Sequence, residues 1–293
     1  MIGKMTNKEL KDLAFNNVDL FVKEIDFIVT NLLSEINRVN VLTDLLNMLD
    51  ITTLRDDDYR DSLIKIITQS TYNVNGKDGV VAGVCIYSNL LPILNKLDLD
   101  ERVSKVVVSG GFPTGQLSLR GKLSDVSFAI ENGANEIDVP INRGLFFENT
   151  NECAIEISAI KSIVKQKSNA KLKVILETSE LGTYKNIYTA AMIALQNGAD
   201  FIKTSTGKVS RGADIYSSAV MMLAMKDYMA INSDRQVGFK VAGGIRKCDD
   251  ALQYYALMQY FFTKQNIDKS IFRVGCSNLR DNIINNINNA VLK

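Results

Sequence analysis

The chain has 293 residues, 46% of them apolar and 23% charged, so it can bury a sizeable core as an ordinary globular protein. Thirty-four basic against 33 acidic side chains leave a formal charge of +1, which argues against duplex nucleic acid or an anionic membrane as partner. Histidine is absent. That removes Ser-His and Cys-His nucleophile systems, imidazole acid–base chemistry and the commonest ligand of a catalytic zinc, leaving lysine and carboxylate to carry any catalysis.

The four cysteines, Cys85, Cys153, Cys248 and Cys276, form no CxxC pair and show no zinc-ligand spacing. They read as reduced thiols of a cytoplasmic protein. Neither a secretory h-region nor an apolar run of ~18 residues is visible.

Residues 1–48 carry apolar positions at helical spacing, among them Leu10, Leu13, Phe21, Ile25, Ile28, Leu32 and Ile36. They are expected to form a loosely attached N-terminal helical cap on a domain spanning 49–293. From residue 50 the pattern turns to short β-type runs: 50–54, 81–88, 105–112, 136–142, 172–178, 201–206, 238–243 and 272–277. Most are separated by amphipathic stretches such as "LSDVSFAIENGA" and "NIYTAAMIALQNGA". Eight strands alternating with helices predict an α/β fold, the (β/α)8 TIM barrel. A doubly wound open sheet is the alternative, but no GxGxxG fingerprint follows the first strand.

"ENGANEIDVPIN" and "QNGADFIKTSTG" repeat one pattern, a helix end at Gly-Ala followed by a strand with a charged residue inside it. The repeat aligns Asp138 with Lys203, and "VGFKVAGG" places Lys240 likewise. Side chains alternate along a strand, so if the flanking Ile137, Val139, Ile202, Phe239 and Val241 face the helices, all three charged groups point inward. They lie on the fourth, sixth and seventh strands, and because barrel active sites sit at the C-terminal ends of the strands, their convergence reads as catalytic. A buried ion-pair cluster is the purely structural reading, yet two lysines against one aspartate leave a positive charge unbalanced.

A free lysine amine has pKa ~10.4 and is rarely neutral at pH 7. Burial and a second cation disfavour the ammonium form, so Lys240 beside Lys203 is expected to favour a nucleophilic Lys203. Such an amine forms a Schiff base with an aldehyde or ketone, and the iminium then accepts the electrons of a breaking carbon–carbon bond. Asp138 would shuttle protons. The chemistry calls for no cofactor and no metal. The loops "AGGIR" and "GCSN" follow the seventh and eighth strands, where exposed backbone N–H groups and a helix N-terminus suit a phosphate.

At these residues the sequence resembles the deoxyribose-phosphate aldolases, class I aldolases of the (β/α)8 fold. The resemblance runs through "LDITTLRDDD", "VCIYS", "EIDVPIN", "LKVILETSELG", "DFIKTSTGK", "VGFKVAGGIR" and "FRVGCSNL" in order, over about 230 residues. It implies that Lys203 forms the Schiff base, Lys240 tunes it and Asp138 joins the proton relay. It further implies a sugar pocket lined or supported by Asp50, Thr52, Cys85 and Lys173, and a phosphate end at Gly207, Lys208, Gly243, Gly244, Gly275, Ser277 and Asn278. The reaction implied is reversible cleavage of 2-deoxy-D-ribose 5-phosphate to acetaldehyde and D-glyceraldehyde 3-phosphate, in deoxyribonucleoside breakdown. Expected partners are small sugar phosphates and aldehydes, without nucleic acid or membrane; a homodimer is compatible with the sequence.

Five positions depart from the family pattern: Ser88, Pro140, Ser179, Val241 and Asn278. Pro140 is expected to re-aim Asp138 and Asn278 to weaken phosphate binding. A related class I aldolase with another substrate, and a silent barrel that only binds sugar phosphate, are the alternative functions.

Overall fold

The computed structural model describes residues 5–262 and 267–291. Eight parallel strands close into a barrel: β1 (Leu49–Thr52), β4 (Gly83–Tyr87), β5 (Ser104–Val108), β6 (Glu136–Pro140), β7 (Lys171–Ile175), β8 (Phe201–Lys203), β9 (Gly238–Ala242) and β10 (Phe272–Cys276). Each pairs with its neighbours in chain order, and β1 meets β10 to close the ring. All eight expected strands are present, slightly shorter than expected, and closure excludes the open sheet. The strand residues are buried almost throughout, as in a parallel sheet covered on both faces.

Helices surround the barrel: α4 (Arg60–Thr68), α5 (Leu91–Leu94), α6 (Leu119–Glu131), α7 (Arg143–Glu148), α8 (Thr150–Lys167), α9 (Tyr184–Gln196), α10 (Ile215–Ile231), α11 (Cys248–Phe261) and α12 (Leu279–Val291). The Gly-Ala pairs behave as read. Gly133 and Gly198 take φ of 84° and 99°, and the amides of Ala134 and Ala199 reach back to the carbonyls of Ala129 and Ala194.

The N-terminal stretch forms α1 (Asn7–Asn16), α2 (Val18–Glu35) and α3 (Arg38–Leu46); residues 1–4 of the expected cap lie outside the described residues. Thr6 and Glu9 make a reciprocal capping box, and the side chains of Asn17 and Asn37 cap the next two helices. These helices are not loosely attached. Leu10, Phe21, Ile25 and Leu45 are fully buried within the same apolar cluster as the barrel residues. Each such side chain contributes roughly 1.5–3 kcal/mol of burial. α1 packs on α9 and α10, α2 on α11, and α3 on α11 and α12. Lys11 and Asp227 pin α1 to α10 at 2.5 Å.

One element escaped the sequence reading, the antiparallel hairpin of β2 (Thr71–Val74) and β3 (Lys77–Val80). Its signal is the Asn75-Gly76 turn, whose φ values of 54° and 74° are those of a tight two-residue hairpin loop.

Candidate active site

Strand parity places the charged residues as expected, all inside the barrel. Lys203, Lys240 and Arg273 are register partners across β8, β9 and β10, and Asp138 is the partner of Lys173 across β6 and β7. Asp138 Oδ2 accepts from Lys203 at 2.9 Å and from Lys240 at 2.8 Å, while Oδ1 accepts from Lys173 at 3.0 Å. Lys240 also lies 2.6 Å from Asp50, whose other oxygen accepts from Arg273 at 2.6 Å. Glu136 completes the ring, accepting from Arg273 at 2.6 Å and pairing with Lys173.

Seven groups therefore form one buried layer, with four cations and three carboxylates. The surplus positive charge inferred from the trio persists in the full set. Ionic pairs in so dry a setting hold only because every member has partners. For Asp138, burial opposes ionisation, but the three surrounding lysines outweigh it and hold the carboxyl well below the usual range. For Lys240, burial opposes the ammonium, but Asp138 and Asp50 outweigh it and push its pKa up. Lys240 is thus a permanent cation held between two acids. Pro140 does not re-aim Asp138, which keeps all three lysine contacts. The β5–β6 ladder ends at the Ser109 amide on the Asp138 carbonyl, and β7 is next engaged by the Ile141 amide, so no ladder bond needs a donor at residue 140.

Above this layer, at the C-terminal ends of the strands, lies a cleft of about 550 Å³. Of the seven groups only Lys203 lines it. The walls come from the ends of β1 and β10 and the loops after β1, β8, β9 and β10, and include Thr52, Gly207, Lys208, Gly243, Gly244, Gly275, Ser277 and Asn278. Gly243 and Gly244 have φ of 90° and 88°, a turn that leaves their backbone open to the cleft. Space is tight at Gly275 as well: a Cβ there would sit 3.0 Å from Cβ of Ala242 and 3.2 Å from Cε of Lys240.

Asp50, Cys85 and Lys173 do not line the cleft. All three are fully buried, Asp50 and Lys173 as members of the charged layer. Cys85 packs with Val106 and Val108 as a small apolar wall inside the barrel, and burial pushes its thiol pKa up. The sequence reading missed Glu136 and Arg273, although both share the inward parity of Asp138 and Lys240. It also missed Arg55 and Arg246, which join Lys203 and Lys208 in the cleft lining. Among the described residues the cleft is lined by these four cations and by no carboxylate.

A model of the DeoC/LacD family aldolases matches residues 79–265. The chain belongs to this family. The human deoxyribose-phosphate aldolase is 34% identical over 249 residues, covering 80% of this chain and 77% of the human protein. Its counterpart from Bos taurus is 35% identical over 245 residues, covering 79% and 76%. A deoxyribose phosphate aldolase from Aeropyrum pernix, described as a unique tetramer, superposes with a TM-score of 0.68 at 23% identity. It covers 90% of this chain and 97% of that one, a likeness of fold. The aldolase is thus a (β/α)8 lyase of the class I type, in a family acting on sugar phosphates.

Proposed function

We propose that this aldolase cleaves 2-deoxy-D-ribose 5-phosphate reversibly to acetaldehyde and D-glyceraldehyde 3-phosphate, with Lys203 as the Schiff-base residue. One observation carries the reading: Lys203 alone brings the charged layer to the floor of a cleft whose other ionic residues are all cations. The Lys203 amine, unprotonated, adds to the C1 aldehyde of the open-chain sugar, and loss of water leaves an iminium. A base takes the proton from the C3 hydroxyl, the C2–C3 bond breaks, and its electrons move into the iminium to give an enamine. Glyceraldehyde 3-phosphate departs. Protonation at C2 and hydrolysis then release acetaldehyde and return the amine.

Asp138, 2.9 Å from Lys203 and 2.8 Å from Lys240, is placed to pass protons during the carbinolamine and enamine steps, directly or through water. The iminium carries the same charge as the ammonium it replaces, so the layer stays electrostatically matched without reorganising. Lys240 supplies a fixed positive charge that shares Asp138 with the reacting amine. At the other end of the cleft, Lys208, Arg246, the Gly243–Gly244 turn and Ser277 suit the phosphate. Four free, buried cysteines accord with a reducing compartment, and we place the activity in cytoplasmic deoxyribonucleoside breakdown.

Borohydride added with acetaldehyde is the test. An ethyl group fixed on Lys203, found by peptide mass mapping, is the expected result. A folded protein that gains no mass at Lys203 and leaves deoxyribose 5-phosphate intact would overturn the reading.

A further inference from the structure

Glu177 follows β7 in a left-handed conformation, with φ 54° and ψ 62°. Residues other than glycine seldom adopt it unless surrounding structure enforces it. The backbone on either side is fixed to the exit of β8: the amide of Leu176 donates to the Lys203 carbonyl and that of Thr178 to the Thr204 carbonyl. The left-handed turn tucks the Glu177 side chain inward, where it is 3% exposed. No basic side chain lies within 4 Å of its carboxylate among the described residues. Its hydrogen bonds go instead to Thr206, whose amide donates at 3.2 Å and whose hydroxyl donates to the second oxygen. The Thr206 oxygen in turn accepts the amide of Lys208 at 3.1 Å.

We propose that Glu177 is a positioning residue that holds the turn Thr206-Gly207-Lys208 in the shape that receives the substrate phosphate. The carboxylate lies behind the cleft, while the three residues it organises all line it. Two donors of one residue face it, and the carboxylate offers each a separate oxygen with no N–H of its own. An amide of the same shape would set its own N–H against one of them. The inference rests on the phosphate reading of the cleft.

Two variants separate charge from conformation: Glu177→Gln keeps the shape, and Glu177→Gly keeps the left-handed backbone. Both are expected to weaken inorganic phosphate, measured by calorimetry, and to raise KM for 2-deoxyribose 5-phosphate by about 10-fold or more, the usual penalty for unmatched buried donors. kcat should change by less than about 3-fold, because Lys203 and its partners are untouched. The preference for phosphorylated over unphosphorylated 2-deoxyribose should fall by the same factor as KM rises. Thr206→Val, which deletes the hydroxyl from the other side, should reproduce the KM effect, and the Glu177→Gln/Thr206→Val pair should be no worse than either alone. An unchanged KM in Thr206→Val or in either Glu177 variant overturns the proposal. Equal losses of kcat/KM for both sugars also overturn it, since that marks a merely structural role. The calorimetric arm is independent of the reaction: a wild-type protein that binds phosphate but cleaves no deoxyribose 5-phosphate defeats the functional reading and still tests Glu177.

Discussion

Lys203 and Lys240 converge on a single oxygen, Oδ2 of Asp138, at 2.9 and 2.8 Å. Two amines on one acceptor are chemically unequal. Lys240 has a second carboxylate in Asp50 and no access to the cleft; Lys203 has no other acidic partner among the described residues and forms the cleft floor.

Replacing the enclosed amine tests that division of labour. Lys240→Met removes the fixed cation but leaves the nucleophile, so borohydride trapping at Lys203 should still occur, only more slowly. Turnover should fall by at least about 10²-fold, the scale of a lost acid–base or electrostatic partner. Trapping rate and kcat measured side by side give the answer, and full turnover in the variant would show that Lys240 is not needed.

Arg273→Leu addresses stability. It strips Asp50 of one cation and Glu136 of its bidentate partner, inside a region that water does not reach. Stranding buried charge in this way costs about 3–5 kcal/mol. The urea midpoint should drop accordingly, with an unchanged slope.

The layer and the thiols together set a pH window for stability. Asp50, Glu136 and Asp138 are held below their ordinary values of 3.8, 4.5 and 3.8: burial alone would raise them, but the neighbouring cations prevail. Their contribution is complete above those values and is lost as pH falls through the depressed ones. On the alkaline side, burial raises all four cysteines above 9.0, with Cys276 pushed up to about 12, and Lys240 is raised above 10.5. Groups raised in the folded state contribute fully below their unfolded values and lose that contribution as pH rises through the raised ones. Stability should therefore be level from about pH 5 to about 9, fall below pH 4.5, and decline progressively above pH 9, as the thiols, the tyrosines that burial raises from 10.0 and Lys240 titrate in turn. Urea midpoints across this range check both edges.

Much of this site could be read from single charged residues set in apolar strands. Asp138, Lys203 and Lys240 each interrupt a β-type run, and period-two alternation tells in from out. It does not tell height along the barrel axis. That is why it does not separate Asp50, Cys85 and Lys173, which lie beneath the cleft, from Lys203, which lines it. Glu136 and Arg273 obey the same parity, but each sits near the start of its strand, where a charged residue ordinarily meets solvent. Only barrel closure brings β6 and β10 across from each other. Glu177 was illegible for another reason: its role depends on a backbone angle that no residue pattern announces.

The bond between Arg273 on β10 and Asp50 on β1 spans the seam where the first and last strands meet. The two partners lie 223 positions apart in the sequence and meet only when the first and last strands of the barrel do. Without β10 the ring is open and Asp50 and Glu136 lack their shared guanidinium. Closing the barrel and pairing these two carboxylates are thereby one and the same step.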